Sequence, residues 1–459
     1  MSIAAGVVAG LDGVAREAML FAGVGFLIGG LDDLAIDLLY FARRGWQRAR
    51  TVAADVGFDR TGNRRIAIFV PAWDEAGVIG AMLAAALDRL DHPDYRIYVG
   101  AYPNDRATID AVAAVAERDA RVRLVIGTRP GPTTKADCLN TLWHALARDE
   151  GSGPRAAIVV LHDAEDVVHP DELGVFDRLI GAYATVQLPV RPLVDRAAPL
   201  VSGHYADEFA EAHAKQLVVR AGLGAALPLA GVGCAIDRSM LDAIADARGG
   251  DPFDAASLTE DYELGLAIAA RGGRGVLARE RGRDGQLVAV HAYFPATLTA
   301  AVRQKARWMT GIALAGWDRV GWGRAFDLPD HWMRMRDRRA PLAVLVLAAA
   351  YVAVVAWGVA LLLHWTIGSA PTAPLPVWLV AVNAALLAWR LAMRMAFTGA
   401  VYGWREALWS LPRAFVGNVI ALLAARRAIG RYIAMLRGAA PVWEKTAHAF
   451  PDLGREAKP

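Results

Sequence analysis

The sequence predicts an α/β domain with a mainly parallel sheet, flanked by transmembrane α-helices. Three observations lead there. Short apolar runs alternate with amphipathic stretches over 64–330, the order that sets a helix between successive strands. Apolar stretches long enough to cross a bilayer lie on both sides of that region, at 18–41, 340–364 and 376–397. Finally, the strand-length run 158–161 drives straight into Asp163, Glu165 and Asp166, and acids at the end of a buried strand are costly unless something compensates them.

The chain has 459 residues, 55% of them hydrophobic and 21% charged, which accommodates one large domain and a smaller part. Its mean hydropathy is positive, so the smaller part is read as membrane. A net charge of +3 is too slight for a nucleic-acid binder. Cys138 and Cys234 lie far apart and match no metal or redox spacing; they read as free thiols in a reducing compartment.

Candidate strands are 65–70, 95–101, 122–126 and 157–161, with helices beginning near Glu75, Thr108 and Lys135. Ligands of such sheets bind beyond the C-terminal strand ends, and four polar clusters fall there. The first, in FVPAWDE, holds Pro71, Asp74 and Glu75, where the acids either cap a helix or face a ligand. The second, in AYPND, holds Asn104 and Asp105, which form either an ordinary turn or hydrogen bonds to a base or ribose. The third is KADCLN, with Lys135, Asp137 and Asn140; Lys135 near a helix N-terminus is well placed for a phosphate. The fourth is LHDAEDVVHP. There Asp163 and Glu165 stand two apart, so an extended chain points both the same way, toward one hard cation such as Mg²⁺ or Mn²⁺. The alternative is a capping turn before Pro170.

Further on, LTEDYELGL places Glu260 and Asp261 at a helix start with Thr259 as its cap. Neighbouring carboxylates in a cleft raise one pKa and leave a base near neutral. The stretch FPATLTAAVRQKARW reads as a proline-initiated helix whose Gln304, Arg307 and Trp308 share one face. An arginine stabilises a departing diphosphate, and an indole offers a flat surface to a sugar ring. Arg303 and Lys305 read as a basic face on the membrane.

Arginines 43, 44, 48 and 50 follow the first apolar stretch, which puts its C-terminal end in the cytoplasm. Arginines 334, 336, 338 and 339 precede the second, which leaves the cytoplasm; an uncharged linker, 366–375, leads to the return span. The stretch 409–423, with Pro412, Arg413 and Asn418, suits a helix lying at the interface, with a fourth span as the alternative. The domain organisation is therefore a transmembrane segment (1–50), a cytoplasmic α/β domain (51–335), two transmembrane helices (336–398) and an interfacial helix with tail (399–459). Asp33 and Asp37 lie roughly 22 and 28 Å along their span, and Arg390 and Arg394 roughly 21 and 27 Å along theirs. The matching depths predict that these two spans pack with the four groups paired, since unpaired intramembrane charge is expensive; the alternative is that all four reach the cytoplasmic interface.

The series VPAWDE, KADCLN, DAED, TEDYEL and QKARW resembles the family 2 glycosyltransferases, a GT-A fold family with DxD, TED and QxxRW motifs. More narrowly, LDDLAIDLLYF, YPNDRAT, LHDAEDVVHP and PVWEKTAHAFP are similar to the bacterial inner-membrane phage adsorption protein B glycosyltransferases. The resemblance covers nearly the whole chain. It implies a Rossmann-like nucleotide-sugar-binding domain on the cytoplasmic side of the inner membrane, using Mg²⁺ or Mn²⁺. Asp163 and Glu165 would ligate the metal, with Asp166 as the other choice for second ligand. Asp261, beside Glu260, would be the general base of an inverting displacement, and Arg307 would offset charge on the leaving diphosphate. Gln304 and Trp308 would hold the acceptor. Pro71, Asp74, Glu75, Asn104, Asp105, Lys135, Asp137 and Asn140 would face the donor, a UDP-sugar by default.

The implied product is an exopolysaccharide or envelope glycan. Single addition to a lipid-linked acceptor is the second reading, and an inactive envelope scaffold or phage receptor the third. Three spans are few for a polysaccharide channel, so export calls for an outer-membrane partner or self-association. Members of the narrower group often continue into a regulatory domain similar to those that bind cyclic di-GMP. This sequence stops at Pro459, so such control would require another protein or be absent.

Overall fold

The computed structural model describes residues 3–50, 63–151, 153–370, 375–439 and 448–451; the side chains of Arg44, Arg48 and Arg50, part of the 366–375 linker, the 50/51 boundary and most of the tail lie outside what it describes. A 48-residue helix, Ile3–Arg50 (α1), opens the chain. The α/β region then runs β1 (Ile66–Pro71), α2 (Ile79–Arg89), β2 (Tyr95–Ala101), α3 (Arg106–Ala116), β3 (Val122–Ile126), α4 (Lys135–Glu150), β4 (Ile158–Leu161) and α5 (Glu172–Leu179). It continues through β5 (Thr185–Gln187), β6 (Val190–Leu193), α6 (Val201–Glu211), a π-helical turn (Ala212–Gln216) and α7 (Leu217–Gly222). Next come β7 (Cys234–Asp237), α8 (Arg238–Ala247), α9 (Glu260–Ala270), β8 (Gly275–Leu277), β9 (Val290–Tyr293) and α10 (Leu298–Trp308). A second π-helical turn (Met309–Leu314) leads to α11 (Ala315–Val320), α12 (Leu328–Arg338), α13 (Ala340–Ile367), α14 (Val377–Tyr402) and α15 (Trp404–Leu436).

β1 is buried along its whole length. Ile66, Ile68 and Val70 enter one core and Ala67 and Phe69 the other, because successive strand side chains point to opposite faces. Such a strand belongs at the centre of a sheet covered on both sides. The seven strands run β3-β2-β1-β4-β7-β5-β8. Only β7 is antiparallel to its neighbours; β6 and β9 form a separate parallel pair. The mainly parallel sheet is as expected, while β5 to β9, at three or four residues each, are too short to leave a period in the sequence.

Two helix starts differ from expectation. α2 begins at Ile79, not near Glu75, because the chain turns through 75–78 first. α10 begins at Leu298 with Thr297 as its cap, accepting a hydrogen bond from Ala300 N at 3.3 Å, so Pro295 precedes the helix without starting it.

Four helices, α1, α13, α14 and α15, are long and apolar enough to cross a membrane. α1 and α13 run side by side in opposite directions. Asp12 Oδ2 lies 3.0 Å from His364 Nε2 toward one end, while Asp32 and Asp33 pair with Arg336 and Arg339 at the other. The expected pairing is half right. Asp33 does pair with Arg390, but Asp37 pairs with Lys215 and accepts a hydrogen bond from Trp389 Nε1 at 2.8 Å. Lys215 comes from the first π-helical turn, a group of the α/β region that spacing along the spans could not bring into view.

Because Asp33 serves three arginines, Asp33→Asn is expected to destabilise the protein by about 2 kcal/mol and cut the folded yield severalfold. Arg390→Gln, which leaves Asp33 its other partners, costs under about 1 kcal/mol. The yields of the two variants from the same membranes check this; equal losses would mean Arg336 and Arg339 do not share the acid.

α15 is 33 residues long, well beyond the 409–423 stretch. Near its start, fully buried Arg413 donates to Pro199 O at 2.8 Å and faces Asp207 at 3.3 Å. Midway, Ala424 and Ala428 pack on Ala306, and near its end Tyr432 Oη lies 2.5 Å from Asp318. Lys305, expected on the membrane, instead pairs with Glu208 and sits 4.8 Å over the Tyr205 and Trp308 rings.

Candidate active site

The C-terminal ends of β1, β2 and β4 open on one cleft, and the polar clusters of the sequence meet there. After β1 the chain bends at Asp74, whose φ of 55° is unusual for a residue other than glycine. Asp105 holds that bend: its Oδ2 accepts from Asp74 N at 2.5 Å, while its Oδ1 caps α3 by accepting from Thr108 N at 3.3 Å. Thr108 in turn accepts from Glu75 N at 2.9 Å. Asp74 and Glu75 are therefore not helix caps, and Asp105 spends both oxygens on the backbone.

Two predicted donor contacts are occupied in the same way. Asn104 exchanges hydrogen bonds with Gly131, Nδ2 to O at 2.8 Å and N to Oδ1 at 2.7 Å. Asn140 does the same with Phe253, at 2.7 and 3.0 Å, and is 4% exposed. Both amides tie loops at the cleft together, Asn104 through Gly131 and Asn140 through Phe253. Asp137 gives its N–H to the cap Thr134 and its carboxylate to Arg129, so it too is engaged at the rim.

Lys135, the first residue of α4, reaches into the cleft. It pairs with Asp163, lies 3.9 Å from Glu260 and donates to Gly231 O at 3.4 Å. Burial alone would lower its pKa, but Asp163, Glu260 and Asp261 outweigh that and raise it. Gly231 has a φ of 75°, and a Cβ there would fall 2.6 Å from Asp261 Oδ2, so only glycine lets the chain pass that carboxylate.

The acidic turn is not extended. The chain reverses at Ala164 and Glu165, with Asp166 N donating to Asp163 O at 3.3 Å, so the argument from two-residue spacing fails. Asp166 is turned inward: its Oδ2 accepts from Asp163 N at 3.0 Å and lies 2.9 Å from His162 Nδ1. His162 also lies 2.9 Å from Glu172. Burial opposes a charged imidazole, yet Glu172 and Asp166 push His162 up to about 10. Glu165 faces the cleft, and burial pushes its carboxyl up to about 8.

Sequence reasoning missed His448, noted only as part of the HAFP tail. Its Nδ1 lies 2.9 Å from Glu75 and its Nε2 3.3 Å from Glu165. Burial would lower it, but Glu165 and Glu75 hold it up at about 9. Glu75, Glu165 and His448 bring one ligand atom each within 4.8 Å of one another, and Glu165 Oε2 is buried with no hydrogen-bond partner among the described residues. With Asp163 on the same turn, this donor set fits a hard divalent cation.

α9 begins at Glu260, with Thr259 in the cap position but making no cap bond. Thr259 Oγ1 is buried without a hydrogen-bond partner among the described residues, and the residue packs on Gly311 beyond α10. Burial and the adjacent Asp261 push Glu260 up to about 7, and burial raises Asp261 as well. Arg307 donates to Leu258 O at 3.1 Å and lies close enough to offset both acids. Gln304 keeps Oε1 buried and, among the described residues, unpartnered. Trp308, by contrast, sits within an aromatic cluster with Tyr205, Phe209 and Phe294 at 6.1 to 6.5 Å. Tyr262 Oη donates to Asp337 Oδ2 at 3.0 Å, tying α9 to α12 just before α13.

Residues 63–311 match the family model described as Glycosyltransferase like family 2. The chain is 34% identical to Bacteriophage adsorption protein B of Escherichia coli K12 and to Bacteriophage N4 adsorption protein B of E. coli O157:H7, over 93% of its own length. It spans 61% of the length of each. Its fold is similar to that of a mannosyltransferase from Pyrobaculum calidifontis solved with GDP-Man and Mn²⁺, with a TM-score of 0.55 and 20% identity, covering 91% of this chain and 99% of that one. The family match over the α/β region, whose sheet and cleft are those of a GT-A domain, means that this chain belongs to the family 2 glycosyltransferases.

Proposed function

We propose that the protein transfers a sugar from a nucleoside-diphosphate donor, by default a UDP-sugar, to a glycan or lipid-linked acceptor at the bacterial inner membrane, with inversion at the anomeric carbon. The observation that carries this is the convergence of Lys135, Asp163, Glu260, Asp261 and Arg307 on one cleft at the strand ends. Asp163 and Glu165 would hold Mg²⁺ or Mn²⁺, which when bound offsets the charge of the diphosphate. Lys135, freed from Asp163, can turn to a donor phosphate. Asp261 takes the proton from the acceptor hydroxyl, and its pairing with Glu260 suits it to do so near neutral pH. Arg307 sits across from the acids, where charge builds on the leaving diphosphate. Glu75, Asp74 and Pro71 form the opposite wall.

In this reading α1, α13 and α14 cross the membrane and the α/β domain is cytoplasmic. α15 lies along that domain at the interface, because Arg413, Ala424, Ala428 and Tyr432 touch it along the helix. That places α10, with Gln304, between the cleft and the bilayer, where a membrane-held acceptor would arrive.

Membranes carrying the chain, given a panel of UDP- and GDP-sugars with and without Mg²⁺ or Mn²⁺, are expected to release nucleoside diphosphate from one donor only when the cation is present. Product length then separates a polymer from single addition. Folded protein that releases nothing from any donor would return the chain to the scaffold reading.

A further inference from the structure

A second concavity, of about 1230 Å³, opens between α7, α9, β8 and the chain leading from α11 into α12. It is at least as large as the pockets that take drug-sized ligands. Residues 265–270 of α9 form one wall, but none of Lys135, Asp163, Glu260, Asp261 or Arg307 lines it, so it is separate from the cleft. Among the described residues, seven arginines and three carboxylates line this groove. That excess of four positive charges is greater than the net +3 of the whole chain. The groove therefore gathers charge that the rest of the molecule balances, and a concave patch of one sign draws counter-ions.

The carboxylates of the groove are already engaged. Glu280 pairs with Arg178 and Asp330 with Arg334, while Asp327 caps α12 by accepting from Asp330 N at 3.1 Å. Arg43, Arg248, Arg274, Arg279 and Arg324 have no carboxylate partner among the described residues. Arg248 and Arg279 reach only carbonyls, Pro252 O at 2.7 Å and His213 O at 2.8 Å. Arg43 Nε is buried with no hydrogen-bond partner among the described residues. A Cβ at Gly222 would overlap the Arg43 guanidinium, so glycine there lets the arginine lie against the end of α7. Arginine forks match phosphate oxygens two at a time, and several of them in one groove suit more than one phosphate.

Position decides between a lipid phosphate and a soluble one. Asp32 and Asp33 with Arg336 and Arg339 mark one end of the α1 and α13 pair, and in the membrane reading above that end is the cytoplasmic boundary. Arg43 lies about 15 Å further along α1 than Asp33, whereas headgroups extend roughly 5 to 8 Å past the hydrocarbon on each side. The groove therefore faces the aqueous phase. We infer that it binds a soluble anion carrying two or more phosphate groups, held by the arginines that lack acidic partners. Binding at this groove goes beyond the transferase reading and does not depend on it.

The test is calorimetric titration of the full chain, in nanodiscs of neutral phosphatidylcholine, with inorganic triphosphate. EDTA is present so that no cation recruits the anion to the cleft. Saturable binding is expected. Arg43→Gln combined with Arg279→Gln should weaken it by about tenfold or more, since hydrogen bonds between charged groups are the strong ones. Arg274→Gln combined with Arg324→Gln should weaken it too. Both of those side chains are exposed and make no hydrogen bond among the described residues, so folding is not at stake. Two control pairs should leave the affinity unchanged: Lys135→Gln with Arg307→Gln in the cleft, and Arg118→Gln with Arg148→Gln, exposed arginines that remove the same charge outside the groove.

Three results would overturn the assignment. The first is the absence of saturable binding by the wild type. The second is an equal loss in either control pair, which would mean that the anion sits in the cleft or answers only to overall charge. The third is phosphatidylglycerol that co-purifies with the wild type and is lost from both groove variants while triphosphate does not bind, which would give the groove to lipid phosphates instead.

Discussion

Asp261→Asn is expected to lower the rate of sugar transfer about 10³-fold while leaving donor binding intact, since a positioned base contributes about 10² to 10⁴. The substitution keeps the shape of the side chain, including the acceptor oxygen that takes Tyr262 N at 2.7 Å, and removes only basicity. Lys135 keeps Asp163 and Glu260 as partners, so the cleft stays closed around its charge. The wild-type pH profile provides a second check. The base works deprotonated, and Glu260, pushed up to about 7 by burial and Asp261, shares its proton with that neighbour. Turnover should therefore rise with pH through neutrality, level off above it, and fall as acid returns the proton. The pair, not either residue, sets that apparent value. Donor affinity by titration and single-turnover rates on the same samples measure both halves, and a variant with wild-type turnover would remove Asp261 from the role of base.

Arg307→Lys is expected to cost about 10²-fold in kcat with little change in donor KM, the pattern for a contact made mainly in the transition state. Lysine keeps the charge but loses the planar fork. In the structure one arm of that fork is tied to Leu258 O at 3.1 Å, which aims the guanidinium past Glu260 and Asp261. A lysine has no second arm to aim. Loss of donor affinity with kcat preserved would instead make Arg307 a ground-state binding residue.

Both side chains were visible in the sequence because their motifs are local. A carboxylate pair at a helix start and an arginine one turn from a glutamine occupy a few consecutive positions, so helix geometry alone brings them together. Asn104, Asp105 and Asn140 show the limit of that reasoning. A polar residue after a strand is equally able to bind a ligand or a loop, and here the backbones of Gly131, Asp74 and Phe253 claimed their hydrogen bonds first. The helical spacing puts Trp308 on one face with Gln304 and Arg307, but the aromatic rings around it, Tyr205, Phe209 and Phe294, come from elements far away in sequence.

The parallel sheet and the long apolar helices were legible from periodicity and composition, the acids and bases at the strand ends from residues a turn apart, and the family from the resemblance of its motifs. The tertiary structure alone decided which acid of LHDAED faces the cleft, since His162 and the reversal at Ala164 turn Asp166 inward. It also decided that Asp37 meets Lys215 instead of Arg394, and that His448 reaches Glu75 and Glu165. Those partners lie 178 and 373 residues apart for the first two pairs. Contacts over such separations are set by how whole elements pack, and no local pattern records them.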